Sequence, residues 1–381
     1  MPLIKQATIC YSPAWKLWPD TSDVDISEVV EARSSIDVEV DGTVYRVENR
    51  NIPAHIGYMW SGHLQLPHVH PEINNLIEPP RHVQDAQAQA IIELGEGCDI
   101  LLWEHARQCY PRVMERVAGH FKLKLLRFGD DCPGSSELKT FPVARYFDVL
   151  LHGMNVWDFV SGRRVPDVYA EHGLHETYLE LPNPTVGLLE TLKADGFSLD
   201  DKIRKVHART LDKDLCFVGL KSLRSWRAGL LHQLGGELAP HGIRTAYYGY
   251  GGMRDGVLEP RDHVLGLAYP VAKLYERTLC GLNTPISSVY NCRMMDLWFA
   301  GVVPIIHDKH GEMLEIGAEP YVDHLVFDGT ADALYKHVKH MMDRPDLVEA
   351  IIRAGHKIAQ RLYTSKRGIV RAYEAHLPRI V

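Results

Sequence analysis

Short apolar runs alternate along the chain with segments whose apolar residues recur every three to four positions, and this alternation predicts most of the fold. Residues 7–11 (ATICY) are a compact apolar run closed by Ser12-Pro13, the pattern of a buried strand. Over residues 36–48 (IDVEVDGTVYRVE) apolar and polar positions alternate on either side of Asp41-Gly42, which predicts a β-hairpin. Residues 53–80 have no clear period and read as loops. Beyond them come a helix (85–95), a strand (98–103, CDILLW) and an amphipathic helix interrupted near Pro111. Two more strands follow, at 122–128 (KLKLLRF) and 146–153 (YFDVLLHG). Strands that alternate with helices predict a parallel sheet covered on both faces, with ligands beyond the carboxyl ends of the strands. Asp130, Asp131 and His152 fall at such ends and are candidate functional groups, although Asp-Asp before Cys-Pro-Gly also suits a plain turn.

Residues 181–213 mix prolines with a charged helical run and read as the joint between two halves. A second α/β series then opens with the strand DLCFVGL (214–220) and a helix over 222–242 with Leu223, Trp226, Leu230, Leu231, Leu234 and Leu238 on one stripe. A strand over 243–252 ends in glycines, and residues 264–282 give a helix and then a strand. YVDHLVF (321–327) reads as a strand, and Asp328-Gly329-Thr330 ends it and caps the helix at 331–342. Two further helices, the last one basic, close the chain. Gly219 at a strand-to-helix turn would let a phosphate approach the backbone, with Lys221, Arg224 and Arg227 near enough to neutralise it. Neither G-x-G-x-x-G after a first strand nor G-x-x-x-x-G-K-[ST] is present, which excludes the ordinary dinucleotide and P-loop readings.

The 381 residues suffice for two cores, and composition (45% hydrophobic, 24% charged) is that of a globular protein. No apolar run approaches the roughly 20 residues of a membrane span, and the N-terminus lacks the features of a secretory signal. Seven thinly spread cysteines without C-x-x-C fit reduced thiols and a cytoplasmic location. A net charge of −7 argues against a chain that coats nucleic acid. The 21 histidines raise a metal-dependent hydrolase built on His68, His70, His307, Asp308 and His310. No Cys or carboxylate cluster of matching spacing accompanies the first pair, so loop or substrate-facing histidines are the stronger reading.

The stretch 283–308 (NTPISSVYNCRMMDLWFAGVVPIIHD) carries the most chemistry. Hydroxyl and amide side chains (Ser287, Ser288, Asn291) lead into Arg293 and Asp296 at the start of an apolar helix, whose free N–H groups and positive dipole end can face a phosphate. Together with DLCFVGL, VAKLYERTLCGLNTPISS, the strand LVFDG and the ending DRPDLVEAIIRAGH, this half resembles the nucleotide-sugar-binding domain of GT-B glycosyltransferases. The likeness is greatest to the CgeB-type group and its family 4 relatives, over roughly 210–370. The resemblance implies an α/β fold of two Rossmann-like domains facing across a cleft, the first with an added hairpin. The domains would be 1–209 on the acceptor side and 210–362 on the donor side, with a final helix, 363–381, packing back on the first.

The resemblance also implies a metal-independent transferase with no permanently bound cofactor and a UDP- or GDP-sugar as donor. Asp296 would bond the ribose, Arg293 and Lys273 the diphosphate, and Ser287, Ser288 and Asn291 the sugar or phosphates. Asp130 or Asp131, with His152 or His70 behind them, would be the base for an acceptor hydroxyl. The acceptor would be a glycan, protein or small molecule, with a nucleic-acid base less favoured. Ser288 stands where many family 4 retaining enzymes place a second acid. That departure motivates the alternative of a catalytically degenerate nucleotide-sugar-binding or scaffolding protein.

Overall fold

The computed structural model describes residues 1–10, 35–53, 79–104, 109–128, 142–153, 163–181, 184–185, 187–218, 230, 238, 241–248, 268–284, 291–308, 311–365 and 367–380. The chain divides into two units, Met1–Glu180 with Lys366–Val381, and Leu181–Ser365.

The first unit is built on a seven-stranded sheet of order β2-β3-β1-β4-β5-β6-β7. These strands are β1 (Leu3–Cys10), β2 (Ser35–Val40), β3 (Thr43–Pro53), β4 (Ile100–Glu104), β5 (Leu123–Phe128), β6 (Val149–His152) and β7 (Glu176–Leu179). Only β2 and β3 pair antiparallel, as the hairpin expected around Asp41-Gly42, and every other pair is parallel. Asp41 and Gly42 both take positive φ, which is why this dipeptide closes the turn. Side chains alternate across the sheet. Ile9, Leu101, Trp103, Leu126 and Leu150 join the core under α1 (Arg81–Leu94) and α2 (Pro111–Val117). On the other face Ile4, Ile100, Leu102, Leu125 and Leu151 meet Ala372, Tyr373 and Leu377 from the last helix of the chain. A short helix, α3 (Val165–Glu171), precedes β7.

The second unit, Leu181–Ser365, begins with α4 (Leu188–Ala194) and α5 (Leu199–His207). The charged run that reads as a joint is an amphipathic helix, and its Lys202 side chain turns inward. The ammonium donates to the backbone carbonyls of Tyr275, Glu276 and Thr278 at 2.7, 3.1 and 2.5 Å, where a helix ends and a strand starts. Burial pushes the Lys202 pKa down to about 7.

Five parallel strands follow, β8 (Lys213–Val218), β9 (Thr245–Tyr248), β10 (Thr278–Asn283), β11 (Val303–Ile306) and β12 (Leu325–Val326), in the order β12-β11-β10-β8-β9. From β8 the chain goes first to β9 on one side and then to β10 on the other, so strand order reverses between β8 and β10. The described residues of the unit also form helices α6 (Ala268–Glu276), α7 (Cys292–Phe299), α8 (Ala331–Asp343) and α9 (Pro345–Thr364), and α10 (Gly368–Ile380) belongs to the first unit. Two glycines permit the closest approaches. A Cβ at Gly281 would lie 2.2 Å from the Leu297 side chain, and one at Gly355 would lie 2.2 Å from the Trp298 ring. The strand expected over 321–327 is confined to Leu325–Val326. Asp323 prevents its extension: one carboxylate oxygen accepts the Glu319 N–H at 2.8 Å and the other lies 2.6 Å from His324 Nδ1, folding the chain into a turn there.

Candidate functional site

In open parallel sheets the crevice beyond the carboxyl ends of the strands, at the point of reversal, is where ligands lie. In the second unit that point is the end of β8 and β10, and Arg293 bridges it. Its Nε donates to the Val218 carbonyl at 2.5 Å and its Nη1 to Asn283 Oδ1 at 2.8 Å. The guanidinium carbon lies 4.8 Å over the Phe217 ring, the cation–π stacking that Arg favours. Asn291 is the N-cap of α7: its Oδ1 accepts the Met294 N–H at 3.2 Å while its Nδ2 donates to Asn283 Oδ1 at 3.1 Å. The Asn283 side-chain oxygen thus gathers both donors, and its backbone carbonyl accepts the His307 N–H at 3.3 Å. Asn283, Thr284 and His307 are buried polar residues that end apolar strands, an arrangement that marks a site more than a core.

Asp296 lies one turn into α7 and is buried at 3% exposure. Thr185 occupies both of its oxygens, the backbone N–H at 2.7 Å and the hydroxyl at 2.6 Å. Burial pushes the Asp296 pKa up to about 6, against the pull of Thr185 and the Arg293 charge. Sequence reading missed Thr185, because 111 positions separate it from its partner. Asn283 was legible as the one amide closing the apolar strand TLCGLN.

Lys273 is not brought to this edge. It lies in the last turn of α6, close to the start of β10, and pairs with Asp195 at 2.9 Å and Glu276 at 3.4 Å. That is the edge where β10 begins, the opposite end of the strand from Asn283, and two carboxylates stand beside the amine. Asp308 serves a structural purpose, accepting the Glu312 and Met313 N–H groups at 3.0 and 3.1 Å. His307 sits over Gly329, where a Cβ would come within 3.2 Å of its Nε2. Among the described residues no group of three or more His, Cys, Asp or Glu could hold a metal ion. Gly219, Lys221, Arg224, Arg227, Ser287, Ser288, Asp130, Asp131, His68, His70 and His310 lie outside the described residues.

In the first unit His152 ends β6, buried, with Nδ1 lacking a hydrogen-bond partner. Burial, with Arg164 and Arg371 adding to it, pushes its pKa down to about 4, which makes it a weak base at neutral pH. Near the same strand ends Arg127 pairs with Glu104 at 2.5 Å and with Glu180 at 3.1 Å.

Two Rossmann-like α/β units in one chain define the GT-B fold. Solved structures similar to the chain include the following three. Sucrose-phosphate synthase from Thermosynechococcus elongatus matches over 100% of this chain and 98% of its own, with 11% identity and a TM-score of 0.56. The UDP-forming α,α-trehalose-phosphate synthase from Burkholderia xenovorans, in complex with glucose-6-phosphate, matches over 99% of both chains, with 11% identity and a TM-score of 0.51. S. aureus TarM, in complex with Fondaparinux, α-GlcNAc-glycerol and UDP, matches over 77% of this chain and 59% of its own, with 10% identity and a TM-score of 0.51. At such identities the likeness concerns the fold alone. No protein-family model and no curated protein sequence matches the chain. No described helix is long and apolar enough to cross a membrane.

Proposed function

We propose that the chain is a glycosyltransferase that moves a sugar from a nucleoside-diphosphate sugar to an acceptor hydroxyl, with the donor nucleotide held at the carboxyl edge of the second unit's sheet. One observation carries this reading: Arg293, held between Val218 and Asn283, stands at the β8/β10 reversal with a buried carboxylate, Asp296, one turn behind it. UDP in the TarM complex and the UDP-forming reaction of the trehalose-phosphate synthase support a uridine donor, with GDP-sugars as the second choice. The sequence pattern around Asp296 supports kinship with the CgeB-type and family 4 enzymes within that fold.

In transfer, the acceptor oxygen bonds to the anomeric carbon as the bond from that carbon to the diphosphate oxygen breaks. The electron pair leaves with the nucleoside diphosphate, where Arg293 and the N-terminal N–H groups of α7 meet the developing charge. The acceptor proton passes to a base, for which Asp130 and Asp131 are the first choice and His152 the second. Arg293, not a metal ion, is the counter-charge in this reading, so a chelator should leave turnover unchanged. The second reading, a nucleotide-sugar-binding protein without turnover, is favoured by Ser288 alone. A thermal-shift screen with UDP-, GDP-, ADP- and CMP-sugars tests the donor site, because a ligand that binds only the folded state raises its midpoint. Absence of any shift would sink both readings, and a shift without transfer or hydrolysis would select the second.

A further inference from the structure

The partner of Asp296 has an informative chemical form. Thr185 offers its backbone N–H and its hydroxyl, two donors carried on adjacent carbons, and they meet the two oxygens of one carboxylate at 2.7 and 2.6 Å. A ribose offers its 2′- and 3′-hydroxyls from adjacent carbons in the same way, and a carboxylate receives such a pair in a bidentate fashion. Thr185 does not belong to the sheet or to a helix. It lies in the short passage that leads from the first unit into α4, and its own carbonyl accepts the Leu188 N–H at 2.9 Å just before that helix begins. A buried carboxylate with neither oxygen satisfied would be costly.

We propose that Thr185 is an internal stand-in for the donor's ribose, holding Asp296 in the ligand-free protein and giving way to the 2′- and 3′-hydroxyls when a nucleoside diphosphate binds. This rests on the donor-site reading above. Thr185 and the ribose then compete for the same two oxygens. The contact lowers the apparent affinity for donor while it steadies the empty protein, and release of Thr185 frees the passage between the units only when a ribose has arrived.

The test is calorimetric titration of the full chain with UDP and with 2′,3′-dideoxy-UDP, or with the GDP or ADP counterparts if the wild type prefers another base. Thr185→Val keeps the side-chain shape and the N–H but removes the hydroxyl donor. It should bind UDP about tenfold more tightly, the value of one lost competing hydrogen bond to a charged group. Its affinity for the dideoxy compound should not change, and Thr185→Ser should restore the wild-type value. The free Thr185→Val protein should also melt lower than wild type, with the difference closing at saturating UDP. A wild type that binds UDP, paired with a Thr185→Val protein that binds it equally or less well, overturns the stand-in while leaving the donor site intact. If Thr185→Val fails to fold, equal binding of UDP and its dideoxy form by the wild type overturns it instead. If the wild type binds no nucleoside diphosphate, the donor-site reading falls and the stand-in falls with it.

Discussion

Asp296 joins packing to pH dependence in a single side chain. Its carboxyl is held near pH 6 by burial. Among the described residues the ionisable groups that interact with it are Arg293, Cys292 and Tyr275, and burial pushes that thiol and phenol upward, so both stay neutral where the carboxyl titrates. The folded pKa lies above the unfolded value near 3.8, so the contribution of Asp296 to stability is complete below that value and is lost as pH rises through about 6. Binding that needs the carboxylate runs the other way. Affinity for the donor should rise as pH climbs through about 6 and then level off, whereas Asp296→Asn should bind weakly with a flat profile; titrations from pH 5 to 8 check both. Arg293→Ala should weaken UDP binding by about 10- to 100-fold, the range for losing a charge-assisted contact. It should also lower the melting temperature, because the same guanidinium ties Val218 to Asn283.

At the scale of elements, the second unit depends on tight crossings and on one inward lysine. Gly355→Ala would drive a methyl into the Trp298 ring, whose N–H is already committed to the Asp323 carbonyl at 3.0 Å. Overpacking of this kind costs about 1–3 kcal/mol, measurable by urea denaturation. Lys202→Met would leave three carbonyls without their donor, at a cost of about 2–4 kcal/mol. Because the folded Lys202 pKa lies near 7, below its ordinary 10.5, wild-type stability gains across that window as pH rises; the methionine variant should lose that slope. The same elements mark the limits of sequence reading. CDILLW, KLKLLRF and the Asp-Gly hairpin were legible because burial on both faces, or strict alternation, leaves a local imprint. The four residues of β7 (ETYL) are each only partly buried at the sheet's edge, and no such imprint forms. The charged helical run within residues 181–213 reads as part of a joint because its charges dominate, yet its Lys202 points inward. Asp296 and Arg293 were visible as residue types at the head of a helix, and Asn283 as the amide that closes its strand, but Thr185, the partner of Asp296, is set by tertiary contact.

At the scale of the molecule, the first unit is discontinuous in sequence. Helix α10 supplies Ala372, Tyr373, Leu377 and Ile380 to one of its two cores, and the Tyr373 hydroxyl donates to the buried Gln6 side chain at 2.5 Å. Where the chain leaves and re-enters this unit, the two passages touch. The Ile369 N–H donates to Glu180 at 3.1 Å, Arg371 donates to the Leu179 carbonyl at 3.2 Å, and a Cβ at Gly368 would lie 2.7 Å from that carbonyl oxygen. A protein truncated before Lys366 should therefore expose the sheet face around Ile100, Leu125 and Leu151. It should lose its cooperative melting transition for the first unit while keeping that of residues 181–365, which scanning calorimetry would resolve.

That arrangement sets an order of events during synthesis. Residues 1–180 leave the ribosome before residues 181–365, yet one face of their sheet stays uncovered until residues 366–381 have been made. The contiguous second unit can close before the first, the reverse of the usual amino-to-carboxyl sequence. A nascent chain stalled late in translation would carry an exposed apolar sheet for the whole pause. Loss of residues 366–381, far in sequence from every residue of the proposed donor site, would then be as damaging as the loss of a core strand.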